Sequence, residues 1–354
     1  MMNKKAGILA LILAAMLVLA ACGGSGAKKA SGESGKSKIA EVTIDKAQYI
    51  LAGDDGEAQD KEAGLLAVKV KVKNASKSSI NVSAYNGVYL YDGDEQLNPE
   101  QSVYIRGLDL QNEGNGDIGA GKVKAMTFYF NVEKDKKYEI GVTPRLSDPG
   151  EKADEILLEL DTAKYAKSFD QLQDPAKALM AYIDTIYFGK ENSNYEKYVT
   201  ADKEAIGAEA KSAFKKQLGS SLPENISDTE IEKYYSSYKA ALSEKAKIEA
   251  NTIAHAEGKA VVKLNYSTVS LRDLYEKLYN YQKEYRENTG EYDSEKEKQY
   301  AFSKFDAIVK SLEVINSQNG SEIKMVENDG KWTVDHSDSY TDYLVEAFAK
   351  GSAY

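Results

Sequence analysis

The sequence predicts a multidomain protein, with an all-β sandwich followed by an α+β module whose helices cover a small antiparallel sheet. Residues 39–162 alternate between apolar and polar side chains with a period of two, which is typical of strands with one exposed face. From residue 163 onward the apolar positions recur at helical spacing. Two Gly-containing turns in this second part each separate a pair of short alternating runs. We therefore divide the body of the protein into residues 39–162 and 163–354.

The alternation of the first part is clearest in the stretch LLAVKVKVKN. Its even-numbered residues from Leu66 to Val72 are apolar, and three of its odd-numbered residues are lysines. Similar runs follow, separated by turn-forming residues: INVSAY, GVYLYD, SVYIRG, KVKAMTFYFNV, YEIGV and ILLELD. Seven or eight short strands in this length, with almost no helical period, predict a β-sandwich.

The second part begins with Asp174-Pro175, a helix start in which Asp is the N-cap and Pro occupies the first turn. Ser227 and Glu230 have the spacing of a capping box. Hairpin turns are predicted at Glu257-Gly258 and at Asp329-Gly330. Beyond the first helix, further helices are predicted at about residues 203–218, 228–246, 270–286, 294–316 and 340–348.

The N-terminus has the features of an export signal. Lys4 and Lys5 precede an apolar run, residues 6–21, that is short for a membrane-spanning helix and lacks a basic segment after it. Its end, Leu19-Ala-Ala-Cys22-Gly, resembles the lipobox of bacterial lipoproteins. That resemblance implies a signal peptide, residues 1–21, a diacylglyceryl group on the thiol of Cys22, and cleavage before it. Cys22 is the single cysteine of the chain. An ordinary signal peptide or a membrane anchor with an incidental cysteine is the alternative.

Residues 22–38 are predicted to be a flexible tether behind the lipid, because the stretch GGSGAKKASGESGKS has no apolar side chain larger than Ala. Such a coil would hold the body about 20 Å from the membrane. Its lysines would either touch anionic head groups or serve solubility alone. The whole chain has 46 basic and 56 acidic side chains and a formal charge of −10. This sign argues against a nucleic-acid partner, which is bound through basic patches.

The stretch GNGDIGAGKV, residues 114–123, matches most of two nucleotide-binding patterns, G-x-G-x-x-G and G-x-x-x-x-G-K. Both patterns require a helix after the glycines, because the phosphate rests on the helix N-terminus. Here Val123 stands where a P-loop has Ser or Thr, and the following residues alternate as a strand does. We therefore predict a glycine loop before a strand, and no nucleotide or other cofactor.

Two longer resemblances cover most of the mature chain. The stretches AVKVKVKNASKSSINVS and GDIGAGKVKAMTFYFNVEKDKKYEI are similar to the immunoglobulin-like (telokin-like) domain of Gram-positive surface lipoproteins. The region from Leu172 to the closing NDGKWTVD is similar to the companion module, a domain of unknown function, family 5105. Its helices and terminal Gly-Lys-Trp strand also resemble the cone-shaped fold of nuclear transport factor two. These motifs imply an immunoglobulin-like sandwich and a surface location, and they carry over no catalytic residue.

Few residues of the sequence suggest a catalytic or metal-binding role. His255 and His336 are expected to be exposed edge residues, with a shared metal or acid–base site near Asp335 or Glu257 as the alternative. A zinc site would need three or four ligands, so no metal site is predicted. The acidic turns at residues 54–57 and 92–95 lack the spacing of a calcium loop. No G-x-S-x-G nucleophile motif is present.

Tyrosine is unusually frequent, with 25 residues against 8 Phe and 1 Trp. Two predicted helices carry clusters of it, and these tyrosines either face the core or form a groove that binds sugars or peptide. The candidate binding surface consists of Tyr234, Tyr238, Tyr275, Tyr279 and Tyr285.

Together these features predict a lipid-anchored, non-catalytic binding or scaffold protein on the extracytoplasmic side of the cell membrane. Its partners would be the membrane, through lipid on Cys22, and an envelope protein, a peptide or a cell-wall ligand. A hydrolase that uses paired carboxylates in a C-terminal cleft is the alternative. The receptor of an importer ranks last, because the predicted strands form hairpins and no βαβ crossovers.

Overall fold

The computed structural model describes residues 32–52, 60–101, 103–108, 114–146, 154–337 and 342–353. Cys22, the signal peptide and the acidic turn at residues 54–57 lie outside the described residues. The strands of the N-terminal domain are, in chain order, β1 (Ser34–Lys36), β2 (Ala40–Ile50), β3 (Ala63–Asn74), β4 (Ile80–Ser83), β5 (Val88–Asp92), β6 (Glu95–Leu97), β7 (Asn115–Ile118), β8 (Val123–Glu133), β9 (Lys137–Val142), β10 (Arg145–Leu146) and β11 (Ile156–Asp161).

The N-terminal domain is a β-sandwich, as predicted. One antiparallel sheet has the strand order β1-β2-β3-β8, and the other strands form two sheets with the orders β11-β9-β5-β6 and β10-β4-β7. The even-numbered residues from Leu66 to Val72 are fully buried. They share one apolar core with Ile140 and Leu158 of the opposite layer. The alternation in LLAVKVKVKN therefore has the predicted cause, a strand with one buried face.

The sandwich begins earlier than the sequence predicts. Strand β1, residues 34–36, pairs with β2 and lies inside the range predicted as tether, residues 22–38. The pairing uses backbone groups, and a Cβ atom on Gly35 would lie only 2.6 Å from Cγ2 of Ile156. The amino-acid composition does not predict this strand, because backbone hydrogen bonds hold it and the close contact at Gly35 requires a small residue.

The glycine-rich stretch at residues 114–123 leads into strand β8, and no helix follows it in the described residues 114–146. Part of the predicted loop is itself a strand, since β7 pairs with β4. Gly121 has a φ of +70° and donates its backbone N–H to the carbonyl of Asn74 at 3.1 Å. The glycines thus form a strand and its tight turn, where positive φ costs little.

The C-terminal domain alternates helices with short strands. Its helices are α1 (Ala166–Asp170), α2 (Asp174–Ile186), α3 (Asn194–Tyr198), α4 (Lys203–Leu218), α5 (Asp228–Lys245), α6 (Leu274–Thr289), α7 (Ser294–Ser303), α8 (Phe305–Ser311) and α9 (Asp342–Phe348). Its strands are β12 (Ile248–Ala256), β13 (Lys259–Val269), β14 (Val314–Asn316), β15 (Ser321–Asn328) and β16 (Lys331–Val334).

The strands β12-β13-β15-β16 form an antiparallel sheet in this order, and β14 adds to β13. Both predicted hairpin turns are present, at Glu257-Gly258 and Asp329-Gly330. All four of these residues have positive φ, which favours glycine in such two-residue turns. The helices cover this sheet around a large apolar core. The α+β architecture is confirmed.

One helical prediction and the predicted domain boundary need correction. The predicted helix at residues 294–316 is divided into α7 and α8 at Lys304, and its end is strand β14. Phe302 and Phe305 lie on either side of the break, both buried, with their rings stacked at 5.5 Å. Helix α1 lies beyond the predicted boundary at residue 162 but packs on the sandwich, where Phe169 contacts Tyr49 edge-on at 5.0 Å.

The two domains are in direct contact. Leu51 of the sandwich and His255 of β12 exchange two backbone hydrogen bonds, each 3.0 Å long. Arg106 forms an ion pair with Glu322 at 2.6 Å. Between these points lies the interface cluster, a small apolar core shared by both domains: Ile50, Ile105, Leu108, Tyr129, Ile253, Ala254, Ala256 and Val261.

Candidate functional site

The predicted lipid attachment residue, Cys22, lies outside the described residues, so its modification stays a prediction. In the part of the chain that the structure covers, no helix combines the length and the apolar character needed to cross a bilayer.

Helix α5 buries the first two tyrosines of the predicted binding surface. Tyr238 is 0 % exposed and donates its hydroxyl to the carbonyl of Val269 at 2.9 Å. Tyr234 is buried as well, and its ring lies 5.0 Å from the rings of Phe302 and Phe305. Both tyrosines belong to the core beneath the helices. The surface predicted from the sequence therefore does not include Tyr234 and Tyr238.

Helix α6 carries the other three tyrosines. Tyr275 is 68 % and Tyr279 is 46 % exposed. The guanidinium of Arg286 lies over the ring of Tyr279 at 5.6 Å, a cation–π contact. Tyr285 is half-buried and donates its hydroxyl to Glu291 at 2.9 Å. Ligand binding by these three tyrosines remains a prediction.

A concave site in the described part of the chain lies between α6 and α8. Its volume is about 310 Å³. One wall is a helical face of α6, and the other is the facing turn of α8. We call it the α6–α8 cleft, and its lining residues are Lys277, Asn280, Tyr281, Glu284, Ala307, Ile308 and Ser311.

Several polar groups of the α6–α8 cleft have no partner within the described chain. The side chains of Lys277, Asn280 and Tyr281 form no hydrogen bond to any described residue, although their backbones take part in helix α6. Glu284 accepts a hydrogen bond of 2.5 Å from the hydroxyl of Tyr300, which raises the pKa of that phenol. Ser311 donates to the carbonyl of Ile308 at 2.8 Å. The cleft thus offers an ammonium, an amide and a phenol to a ligand, beside one carboxylate that is already oriented.

Sequence reasoning missed most of this cleft. The tyrosine surface that it predicted on α6 does not include Lys277, Asn280 or Glu284. The opposite wall depends on α8, which the sequence predicts as part of a longer helix. The spacing of i, i+3, i+4 and i+7 on α6 was visible in the sequence, but nothing local indicates which helix faces it.

The two histidines have separate surroundings. His255 is half-buried, and its ring meets Trp332 edge-on at 5.0 Å. His336 is exposed and lines a second, much smaller cavity of about 20 Å³ together with Glu209 and Asp342. The expectation of an exposed edge residue therefore holds for His336 and is wrong for His255.

No group of three or more His, Cys, Asp and Glu residues in the described ranges could hold a metal ion. In the acidic turn at residues 92–95, Asp92 pairs with Lys136 at 2.7 Å.

Comparison with known proteins supports both domains. Residues 165–349 match the model of a domain of unknown function, DUF5105, and residues 30–152 match that of another, DUF4352. The chain is 30 % identical to the uncharacterized lipoprotein YcdA of Bacillus subtilis (strain 168), over 99 % of this chain and 100 % of that protein.

The crystal structure of the same relative supports this fold over most of the chain. The crystal structure of B. subtilis YcdA covers 90 % of this chain and 99 % of its own, with a TM-score of 0.64 and 28 % identity. The yjhA protein of B. subtilis covers 37 % of this chain and 97 % of its own, with a TM-score of 0.28 and 21 % identity.

Proposed function

The chain belongs to the DUF5105 family, and we propose on this basis that it is a lipid-anchored, extracytoplasmic binding protein of the cell membrane that catalyses no reaction. The observation that carries the proposal is similarity to a lipoprotein over the full chain length, combined with a single cysteine in a lipobox-like sequence. The thiol of Cys22 would carry the diacylglyceryl group. Two acyl chains hold a protein stably on a bilayer, since each buried methylene contributes about 0.8 kcal/mol.

The α6–α8 cleft supports binding over catalysis. Hydrolysis of a glycosidic bond by paired carboxylates needs two such groups at opposite sides of the bond, roughly 5–9.5 Å apart. Among the described residues that line the cleft, Glu284 is the one carboxylate. Its oxygen is already bound to Tyr300. A cleft with a few polar side chains and an aromatic ring is typical of a recognition site.

The anchor is tested by replacing Cys22 with Ser in the full-length protein, expressed in a Gram-positive host that is fed an alkyne fatty acid. We expect the label on the protein to be lost and the unprocessed precursor to accumulate, because oxygen does not replace the thiol in the modification. Ser25→Ala is the matched control and should keep label and processing. Membrane attachment and labelling that persist in Cys22→Ser would refute the anchor.

The binding role is tested by cross-linking intact cells that carry the anchored protein and by identifying what is recovered with it. A reproducible envelope component would support the proposal. Recovery of only abundant proteins that vary between replicates would count against it. Hydrolysis of isolated cell-wall material by the purified protein would instead favour the carboxylate hydrolase.

A further inference from the structure

The α6–α8 cleft has the dimensions of a small-ligand site. Its volume of about 310 Å³ lies at the lower end of the range for ligand pockets, roughly 300–1,000 Å³. Both walls are helices, and Ile308, which lines the cleft, is 2 % exposed and belongs to the domain core. The ring of Tyr281 packs against the same core. The two helical walls are therefore held in place by core packing, while the side chains of Asn280 and Glu284 at the rim are exposed.

The lining of this cleft combines a narrow apolar strip with a polar rim. Tyr281 and Ala307 supply the apolar surface, and the almost completely buried Ile308 lies beneath it. Lys277, Asn280 and Glu284 supply a charged donor, a planar amide and a charged acceptor. A pyranose ring has the complementary arrangement, because its C–H groups form an apolar face and its hydroxyl groups surround the edge. An aromatic ring that stacks on such a face is a common way of holding a sugar.

The charges of the cleft restrict the ligand further. Lys277 and Glu284 are seven residues apart on α6, which corresponds to about 10.5 Å along the helix axis. A polyanion would be repelled at Glu284, and a polycation would be repelled at Lys277. An uncharged chain with many hydrogen-bond donors and acceptors can bind both Lys277 and Glu284 without charge repulsion. The separation of these two residues along the helix suits two linked sugar rings. An acetamido group offers both an N–H and a carbonyl to the amide of Asn280.

An amphipathic peptide helix fits this cleft less well. Such a helix would need a row of apolar side chains at i, i+3, i+4 and i+7 to enter an apolar groove. The cleft provides apolar contacts at Tyr281, Ala307 and Ile308 only, and the facing stripe of α6 is polar.

From this geometry we propose that the α6–α8 cleft binds a glycan chain of N-acetylated amino sugars, with one ring stacked on Tyr281 and the acetamido group held by Asn280. Lys277 and Glu284 bind hydroxyl groups of the neighbouring rings. The inference rests on the proposed extracytoplasmic binding role, because that placement gives the cleft access to envelope glycans.

The test is calorimetric titration of the lipidated full-length protein, in a detergent without a sugar head group, with the β-linked tetramer of N-acetylglucosamine. The corresponding glucose tetramer, which lacks the acetamido groups, is the control ligand. We expect the acetylated tetramer to bind and the glucose tetramer to bind more weakly by about tenfold, the factor that corresponds to 1.4 kcal/mol.

Two variants of the cleft should weaken this binding, and each has a matched control. Ala307→Trp fills the cleft from an exposed position, and Ala208→Trp places the same residue on the exposed face of α4. Lys277→Met removes the charged donor, and Lys283→Met removes an exposed lysine of α6 outside the cleft lining. We expect a loss of about tenfold or more in the cleft variants and less than about twofold in the controls, with unchanged circular dichroism.

Absence of binding, or binding that survives Ala307→Trp, would overturn the glycan assignment. Equal affinity for both tetramers would overturn the role of the acetamido group. Failure of the proposed function is distinguishable from these results. If Cys22→Ser keeps its lipid label, the envelope role fails. If the anchored protein captures a reproducible envelope protein that Ala307→Trp loses, while no glycan binds, the binding role stands and the glycan proposal fails.

Discussion

At the scale of single residues, the contacts of His255 at the domain interface change its protonation. Its backbone pairs with Leu51 of the sandwich, and its ring lies edge-on to Trp332. Its Nδ1 atom is 3.3 Å from the carbonyl oxygen of Leu172. A carbonyl only accepts hydrogen bonds, so Nδ1 carries a proton in this arrangement. Burial lowers the pKa of His255 below its ordinary value of 6.5, because the charged imidazolium loses hydration at the domain contact.

This lowered pKa predicts an acid-sensitive stability. As the pH falls through about 6.5, the unfolded chain binds a proton before the folded protein does, so the free energy of unfolding decreases. We expect urea denaturation to give a lower stability at about pH 5.5 than at about pH 7.5. His255→Gln should reduce that difference, whereas the exposed His336→Gln should keep it. A pH dependence that is identical in the wild type and His255→Gln would show that another group is responsible.

The tyrosines mark the limit of single-residue prediction. Tyr238 and Tyr275 both lie in helices with apolar spacing, yet one is 0 % and the other 68 % exposed. The ring of tyrosine suits a core and its hydroxyl suits a surface, so residue type decides neither. Tyr238 is buried because Val269 supplies an acceptor and Phe214 stacks on its ring at 5.3 Å. Both partners come from distant elements, and no local pattern indicates them.

At the scale of elements, the two hairpin turns and the Ser227 cap were predictable, and the helix breaks were not. The predicted N-cap at Asp174 was wrong, because Gln173 precedes α2 and Asp174 is the first residue of the helix. The Asp329-Gly330 hairpin follows from the conformational freedom of two residues, because its turn needs positive φ at both positions. The break at Lys304, by contrast, depends on burial of Phe302 and Phe305, which is a tertiary effect. The continuation into β14 likewise depends on hydrogen bonds to β13. Local chemistry decides the first kind of feature, and partners that are remote in sequence decide the second.

The start of α5 allows this local chemistry to be tested. The side chain of Ser227 accepts a hydrogen bond from the backbone N–H of Glu230 at 3.2 Å, and the Glu230 carboxylate accepts one from the backbone N–H of Ser227 at 2.9 Å. These bonds satisfy two backbone donors at the helix end. Ser227→Ala should lower the free energy of unfolding by about 0.5–2 kcal/mol in urea denaturation. Ser220→Ala, at an exposed serine without a side-chain hydrogen bond in the described chain, should change it by less. Equal effects would contradict a specific capping role.

At the scale of the whole molecule, the outer face of the first sheet changes character along β3. Its odd-numbered side chains are Leu65 and Ala67 at one end and lysines from Lys69 to Lys73 at the other. The apolar end packs against the interface cluster, and the lysine end is exposed. The stretch LLAVKVKVKN contains this change, so a contact with another domain at Leu65 and Ala67 could have been inferred from the sequence. The partner strand, β12, could not, because its bulge at Thr252 and Ala254 depends on pairing with β13.

The interface cluster, more than the ion pair, should couple the two domains. The side chains of Arg106 and Glu322 are 34 % and 39 % exposed. An ion pair exposed to this extent contributes about 0–1 kcal/mol to stability. Ile253 is 7 % exposed and lies within the cluster. Replacing a buried Ile by Ala costs about 2–5 kcal/mol, through lost burial and the cavity that remains. Part of that cost falls on the contact between the domains, so the variant should unfold one domain at a time.

We therefore expect Ile253→Ala to separate the thermal unfolding of the full-length protein into two calorimetric transitions, where the wild type unfolds in one. Arg106→Met should shift the wild-type transition only slightly and keep it single. Val314→Ala, at an exposed apolar residue of β14, is the matched control for removal of a branched side chain. Two resolved transitions in the wild type would contradict this coupling. So would a single transition in Ile253→Ala at the wild-type temperature, because the cluster would then not affect how the domains unfold. In the expected case, the interface cluster holds the C-terminal domain, with its α6–α8 cleft, in a fixed orientation on the sandwich.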